Sequence, residues 1–90
     1  MVFKLSNNFN KIYSKCDSSI KKRVDDKLAI FCNNDSDFSL KNHSLKGKFS
    51  MYHSINITGD WRALYTVKNN EGGQPFAYFE TLGTHSQLYK

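Results

Sequence analysis

The sequence predicts an α+β fold in which two N-terminal helices pack on one face of a small, mostly antiparallel sheet, followed by a short C-terminal tail. Two observations support this fold class: apolar residues recur with a helical period in the first third of the chain, whereas from Tyr52 onwards they alternate with a period of two. A length of 90 residues allows a single domain, 1–90, whose only room for a functional site is a shallow surface groove. The hydrophobic content of 39 % is sufficient for a compact core.

The first third of the chain predicts a short strand and two capped helices. Residues 2–5 alternate apolar and basic side chains, which is typical of a strand. Ser6 or Asn7 is placed to cap the first helix, and Asp17 is placed to cap the second. The apolar residues with helical spacing are Phe9, Ile12, Tyr13 and Cys16 in the first helix and Ile20, Val24, Leu28 and Phe31 in the second. The polar segment 33–37 ends the second helix.

The second half predicts an antiparallel hairpin and a buried central strand. Ile55 and Ile57 alternate with polar residues before a turn at Gly59-Asp60, and the alternation then resumes. The core-facing residues of the second hairpin strand are predicted to be Trp61, Ala63, Tyr65 and Val67. Residues 76–82 are apolar on both parities, as in a central strand. The sheet face away from the helices is predicted to stay open and to carry polar side chains, namely Tyr52, Ser54, Asn56, Arg62, Thr66 and Lys68.

The net charge of +5 lies wholly in the first half of the chain. Residues 1–48 contain ten Lys/Arg and five Asp/Glu, whereas residues 49–90 contain three of each. This asymmetry favours a polyanionic partner along one side of the molecule, and a solvated, lysine-rich helix surface explains it equally well.

Cysteine spacing and hydropathy exclude several classes of protein. Cys16 and Cys32 lack the spacing of metal ligands, so we expect two buried, reduced thiols and neither a metal nor a cofactor. Residues 1–20 contain no apolar run typical of a signal peptide or a spanning helix. The sequence therefore predicts a cytoplasmic protein without membrane contact.

Three polar segments, 42–48, 59–65 and 83–89, are spaced so that a small sheet would bring them together. Most of their residues have an ordinary structural explanation: His43 in a loop contact, Asp60 in an Asx turn, and Trp61 in the core. Arg62 and the lysines would then be solvated charges. His85 is different, because it follows the end of a strand, where packing rarely requires a histidine.

On these segments the chain resembles small toxins of bacterial toxin–antitoxin systems, in the RelE/StbE superfamily and nearest its YafQ-like branch. The resemblance spans nearly the whole chain and is strongest in Asn42-His43-Ser44-Leu45-Lys46-Gly47, in the stretch from Tyr52 through Asp60-Trp61-Arg62-Ala63-Leu64-Tyr65, and in Gly83-Thr84-His85-Ser86-Gln87-Leu88-Tyr89. It implies a metal-independent endoribonuclease that enters the ribosomal A site, cleaves mRNA there and is held inactive by a cognate antitoxin. The site residues that the resemblance implies are His43, Asp60, Trp61, His85 and Tyr89.

Two positions depart from the pattern of these toxins. Asn56 stands where YafQ-like members usually have a histidine, and Thr81 stands where they usually have an arginine. The departures imply slower cleavage, a different target or no catalysis. Arg62 compensates for the lost cation in one interpretation, because other branches of the superfamily have an essential arginine at that point of the strand.

Metal-free RNA cleavage needs a base for the ribose 2′-hydroxyl, a cation for the phosphorane and an acid for the leaving 5′-oxygen. Histidine titrates nearest neutrality, so His85 is the candidate acid, with His43 or Asp60 as the base. Arg62 is the candidate cation, helped by Lys46 or Lys48. Trp61 or Tyr89 would stack a splayed base.

Two other functions fit the same sequence. One is a toxin that inhibits gyrase, as ParE-type relatives do, and the other is a non-catalytic protein that binds RNA or an antitoxin. In each case we expect an antitoxin partner, in a possible toxin–antitoxin hetero-oligomer, to cover the groove with a helix or an acidic segment, because blocking Lys and Arg side chains blocks phosphate binding.

Overall fold

The computed structural model describes residues 1–89 and contains a five-stranded sheet with the two N-terminal helices on one face. The strands are β1 (Phe3–Leu5), β2 (His43–Ser44), β3 (His53–Asn56), β4 (Trp61–Asn69) and β5 (Pro75–Thr84), and the helices are α1 (Asn7–Lys15), α2 (Ser18–Asn33) and α3 (His85–Leu88). Their order in the sheet is β1-β5-β4-β3-β2. The predicted α+β class, with two N-terminal helices and a mostly antiparallel sheet, is confirmed.

Both N-terminal helices begin at the predicted caps. The Ser6 hydroxyl accepts a hydrogen bond from the Phe9 N–H at 3.0 Å and donates one to the Glu80 carbonyl at 2.9 Å, so it caps α1 and ties it to β5. Asp17 caps α2 by accepting from the Ile20 N–H at 2.9 Å. That bond, followed by bonds from Ser19, holds the pKa of the Asp17 carboxyl below its usual value.

The sheet is antiparallel except at β1, which pairs in parallel with β5. The register between β4 and β5 shifts, because Leu64 pairs with Thr81 whereas Tyr65 pairs with Phe79. Glu80 is therefore an extra residue in β5, and this irregularity lets Phe79 and Leu82 both reach the core. The predicted central strand is an interior one, because β5 lies between β1 and β4. This position and the register shift together explain why residues 76–82 are apolar on both parities.

The core lies between the helices and the sheet and is built around Phe31. The Phe31 ring is fully buried, and its centroid lies 5.1 Å from that of Tyr65 and 5.2 Å from that of Phe79. Edge-to-face contacts of this kind add to the stabilisation that burial itself provides. The other buried residues of this cluster are Phe9, Val24, Leu28, Leu40, Ile55, Ile57, Ala63, Ala77 and Leu82.

Two burial predictions are wrong. Val67 has the core parity, but it is 47 % exposed because the end of β4 extends into solvent with Lys68 and Asn69. Cys32 is exposed because its neighbour Phe31 occupies the inward face of α2, and Cys16 is only half-buried. Both thiols are free.

The sheet face opposite the helices is less open than the sequence predicts. Leu64 has this parity and is nevertheless 3 % exposed, and Gly83 is also buried. A Cβ atom on Gly83 would lie 3.2 Å from the Leu88 side chain, so α3 turns back over the sheet at this point. Within residues 1–89, no helix combines the length and the apolar character needed to cross a membrane.

Candidate functional site

A groove of about 650 Å³ lies on this second face of the sheet. Its floor comes from β3 and β4, and its walls come from the segment 41–49 and the C-terminal residues. The lining residues are Lys41, His43, Leu45, Lys46, Phe49, Ser54, Asn56, Arg62, His85 and Tyr89. Residues from all three polar segments of the sequence therefore meet in one place.

The hydrogen bond of His43 determines which of its two ring nitrogens is free to bond with a ligand. Nδ1 lies 2.8 Å from the Lys41 carbonyl oxygen. Because a carbonyl oxygen can only accept, Nδ1 carries a proton, and in the neutral imidazole Nε2 is then the hydrogen-bond acceptor. Lys41 has the left-handed conformation, with φ 47° and ψ 45°, and this turn directs its carbonyl towards the ring.

Arg62 projects from β4 into the groove beside Asn56, its partner on β3. Its Nη1 donates to the Thr58 carbonyl at 2.9 Å and to the Trp61 carbonyl at 3.1 Å. These two bonds fix the orientation of the guanidinium group. The group has five N–H donors in all, so others are left for a ligand.

His85, the first residue of α3, and Tyr89, the residue that follows this helix, both line the groove. Thr84 and Gln87 form a capping box that starts this helix, and the His85 N–H donates to the Asp60 carbonyl at 3.0 Å. The His85 and Tyr89 ring centroids are 4.8 Å apart, and Tyr89 meets Phe49 at 5.9 Å on the opposite wall.

Three sequence-predicted site residues lie outside the groove lining. Asp60 is exposed and contacts the backbone N–H of His85, which it helps to position. Lys48 is exposed, with its Nζ 5.3 Å from the centre of the Phe49 ring. Trp61 has the helix-facing parity of β4, packs against the core and lines a separate cavity with Ile12. Trp61 is therefore not placed to stack a base in the groove.

Sequence reasoning missed two residues of the groove. Lys41 had no signal, because a left-handed conformation is usually marked by glycine or asparagine. Phe49 lies in a short 3₁₀ turn, Gly47–Phe49, and an aromatic residue in a Gly-Lys-Phe segment gives no indication of its partner Tyr89.

The electrostatic character of the groove is uniformly basic. In the part of the chain that the structure describes, residues 1–89, its lining contains the side chains of Lys41, Lys46 and Arg62 and no carboxylate. Among residues 1–89, no group of three or more His, Cys, Asp or Glu side chains is arranged to hold a metal ion. The groove thus offers cations, imidazoles and aromatic rings to a ligand.

A second cavity of about 440 Å³ lies on the other side of β2. His53 stacks on Tyr65 there, with ring centroids 5.0 Å apart and an angle of 18° between the planes. Burial raises the pKa of the Tyr65 phenol, and its hydrogen bond with Asn42 partly offsets the effect. His53 therefore packs against the core residue Tyr65 and does not line the groove.

Comparison with known proteins identifies the fold. No family model and no curated protein sequence matches the chain. Solved structures do: YafQ from Escherichia coli superposes with a TM-score of 0.76 at 18 % identity, covering 98 % of this chain and 97 % of that one. A YoeB/ParE toxin from Agrobacterium tumefaciens superposes with a TM-score of 0.72 at 19 % identity, covering 94 % of this chain and 99 % of that one.

The Methanococcus jannaschii RelB–RelE antitoxin–toxin complex contains a further similar chain, with a TM-score of 0.67 at 20 % identity, covering 99 % of this chain and 95 % of that one. The fold is therefore that of the RelE and YafQ toxins, as the resemblance in the sequence implied.

Proposed function

We propose that this protein is the toxin of a toxin–antitoxin system and that it cleaves mRNA on the ribosome without a metal. The observation that carries the proposal is the arrangement of His43, whose Nε2 is left as an acceptor, in one basic groove with His85 and Arg62. The similarity of the fold to YafQ and RelE supports it.

His43 acts as the base in this mechanism. Its Nδ1–H is held by the Lys41 carbonyl, so Nε2 takes the proton of the ribose 2′-hydroxyl. The 2′-oxygen then attacks the adjacent phosphorus and a phosphorane forms. Asp60, the other candidate base, contacts the His85 backbone and does not line the groove, which favours His43.

Arg62 and His85 complete the reaction. The N–H donors of Arg62, with the ammonium groups of Lys41 and Lys46, stabilise the charge on the phosphorane. The bond from phosphorus to the 5′-oxygen breaks, and protonated His85 gives its proton to that oxygen. The products are a 2′,3′-cyclic phosphate and a free 5′-hydroxyl, and proton exchange with solvent restores both histidines.

The two unusual positions fit this division of roles. Asn56 lines the groove but supplies neither a base nor a charge, and Thr81 pairs with Leu64 away from the groove lining. The cations that act on the phosphate in this mechanism are consequently Arg62, Lys41 and Lys46. Tyr89 and Phe49, which meet across the groove, would stack a splayed base in place of Trp61.

A cognate antitoxin is the expected protein partner, with the cytoplasm as the shared location. Similar chains occur in the E. coli DinJ–YafQ toxin–antitoxin complex and in the RelB–RelE complex. A helix or an acidic segment of such a partner would neutralise the basic groove and exclude RNA from it.

The test is mRNA cleavage on programmed ribosomes, mapped by primer extension. We expect the wild type to cut, and His43→Ala or His85→Ala to lower the rate about 100-fold or more. His53→Ala is the matched control, since this histidine does not line the groove. Intact mRNA with folded wild-type protein, or equal cleavage by all three variants, would overturn the proposal.

A gyrase-inhibiting toxin is the second candidate, favoured by the similarity to the YoeB/ParE toxin and by the absence of the usual arginine at Thr81. It predicts loss of DNA supercoiling by gyrase when the protein is added, with mRNA left intact. A non-catalytic binding protein predicts RNA or antitoxin binding without growth arrest on expression.

A further inference from the structure

Ser54 is a polar residue at a point where burial favours an apolar one. Its side chain is fully buried, and its hydroxyl oxygen finds no hydrogen-bond partner among residues 1–89. Its neighbour across the β3–β4 pair is the buried Leu64. A buried hydroxyl without a partner destabilises the folded protein, and alanine would fill nearly the same space without that cost.

The strand register places Ser54 beside the groups proposed to act on RNA. Ser54 lies directly opposite His43 in the β2–β3 pair and lines the floor of the groove. Arg62 is its diagonal neighbour on β4, because Arg62 pairs with Asn56 two residues further along β3. Opposite residues have Cβ atoms about 5 Å apart and diagonal ones about 7 Å apart, so one phosphate can reach all three side chains.

We propose that the Ser54 hydroxyl binds a non-bridging oxygen of the scissile phosphate. This inference rests on the proposed function and adds a substrate-binding residue to it. When the 2′-oxygen that His43 deprotonates attacks phosphorus, negative charge grows on the non-bridging oxygens. Ser54 donates its O–H to one of them and Arg62 donates N–H groups to the other, and Ser54 keeps its proton throughout.

The groove must widen before a phosphate reaches this hydroxyl. Its two walls touch through the rings of Phe49 and Tyr89, whose centroids are 5.9 Å apart. Neither ring belongs to the hydrophobic core or packs against it, so their contact can open without disturbing the fold. Substrate that parts these rings approaches the floor of the groove, where Ser54 lies, and supplies the acceptor that this hydroxyl lacks among residues 1–89.

A purely structural Ser54 and a phosphate-binding Ser54 predict different behaviour for Ser54→Ala. In both cases removal of the orphan hydroxyl should raise the melting temperature. Only a phosphate ligand predicts that the stabler variant is also the slower enzyme. Ser50→Ala is the matched control, because Ser50 is exposed in the neighbouring loop and does not line the groove.

The experiment compares cleavage of mRNA on programmed ribosomes with an ordinary phosphate and with each phosphorothioate isomer at the cut site. For Ser54→Ala we expect kcat to fall about 100-fold, as for loss of one oxyanion donor, and KM to rise, because the hydroxyl already contacts the phosphate of the bound substrate. Each phosphorothioate isomer should slow the wild type, because sulfur is a poor acceptor. The effect of one isomer should vanish in Ser54→Ala, where the donor to that position is already lost, and the effect of the other, which faces Arg62, should persist. Ser50→Ala should retain both the rate and the sulfur effect.

Two results would overturn the inference while leaving the proposed function intact: an unchanged kcat for Ser54→Ala, or a sulfur effect equal to that of the wild type with both isomers. If the wild type does not cleave RNA, the proposed function itself fails. The affinity for a short 2′-deoxy-substituted, non-cleavable RNA then decides about Ser54: weaker binding by Ser54→Ala supports a phosphate contact, and equal binding rejects it.

Discussion

The chemistry of the groove depends on the backbone of a single residue, Lys41. A left-handed conformation costs a residue with a Cβ atom about 1–2 kcal/mol, and here it directs a carbonyl to the Nδ1 of His43. With the opposite tautomer, Nε2 would carry the proton and could not accept one from the substrate. Strain at Lys41 is thus coupled to the tautomer of His43, the proposed base, two residues later.

Two substitutions of Lys41 distinguish the effect of its backbone conformation from the effect of its charge. Asparagine tolerates the left-handed conformation, whereas isoleucine does not, and both remove the ammonium group. We expect Lys41→Ile to have a kcat about 10-fold or more below that of Lys41→Asn, since misplacement of the base acts on the chemical step. Steady-state cleavage kinetics measure the difference, and equal kcat values for the two variants would contradict the coupling.

At the scale of the element, the position of α3 depends on Gly83, because this residue of β5 has no side chain to hold the helix away from the sheet. A Cβ atom on Gly83 would lie 3.1 Å from the Gln87 Oε1 and 3.2 Å from the Leu88 Cδ2. Both partners are in α3, which also presents His85 to the groove. The close approach of this short helix to β5 therefore positions the proposed acid.

Gly83→Ala should displace α3 by a few tenths of an ångström and lower kcat by about 10- to 100-fold, because small misplacements of a reacting group are costly. The melting temperature should change little, since α3 contributes no buried residue to the core. Gly72→Ala, in the β4–β5 turn, is the matched control for backbone effects. A Gly83→Ala enzyme as fast as Gly72→Ala would show that α3 does not need this contact.

Ser6 joins α1 to β5, and its replacement should lower the stability of the folded protein. Ser6→Ala removes the cap of α1 and one donor to the Glu80 carbonyl, and we expect about 1–2 kcal/mol less free energy of unfolding. Ser14→Ala, at an exposed position of α1, should stay within about 0.5 kcal/mol of the wild type. Urea denaturation measures both, and equal stability of the two variants would argue against the joint role of Ser6.

The elements that depend on local sequence were predictable, whereas those that depend on distant partners were not. Ser6 and Asp17 cap helices through bonds to residues three positions away, which a sequence pattern displays. The two-residue strand β2 and the parallel pairing of β1 with β5 arise only when distant segments meet. Local motifs marked His43 and His85 as candidate site residues, and both line the groove. The contact of Phe49 with Tyr89 joins two distant segments and could not be predicted.

At the scale of the whole molecule, the excess of basic residues in the first half of the sequence is not concentrated on one surface. The basic first half contains the helices, which pack on one face of the sheet, and the segment 41–49, which lines the groove on the other. Lysines of α1 and α2 are consequently separated from the groove by the sheet. Among residues 1–89, the cations that line the proposed path of RNA are Lys41, Lys46 and Arg62.

The salt dependence of RNA binding should therefore be determined by the number of cations in the groove and not by the net charge of +5. Each phosphate contact to a single strand contributes about −0.7 to the slope of log K against log salt, so three groove cations predict a slope of about −2. Lys46→Gln should reduce its magnitude by about 0.7, whereas Lys11→Gln, an exposed position on α1, should leave it unchanged. Fluorescence anisotropy with a 2′-deoxy-substituted RNA measures all three proteins. A slope near −4 in the wild type that Lys11→Gln weakens would mean that RNA also follows the helical face, because only cations on its path release counterions.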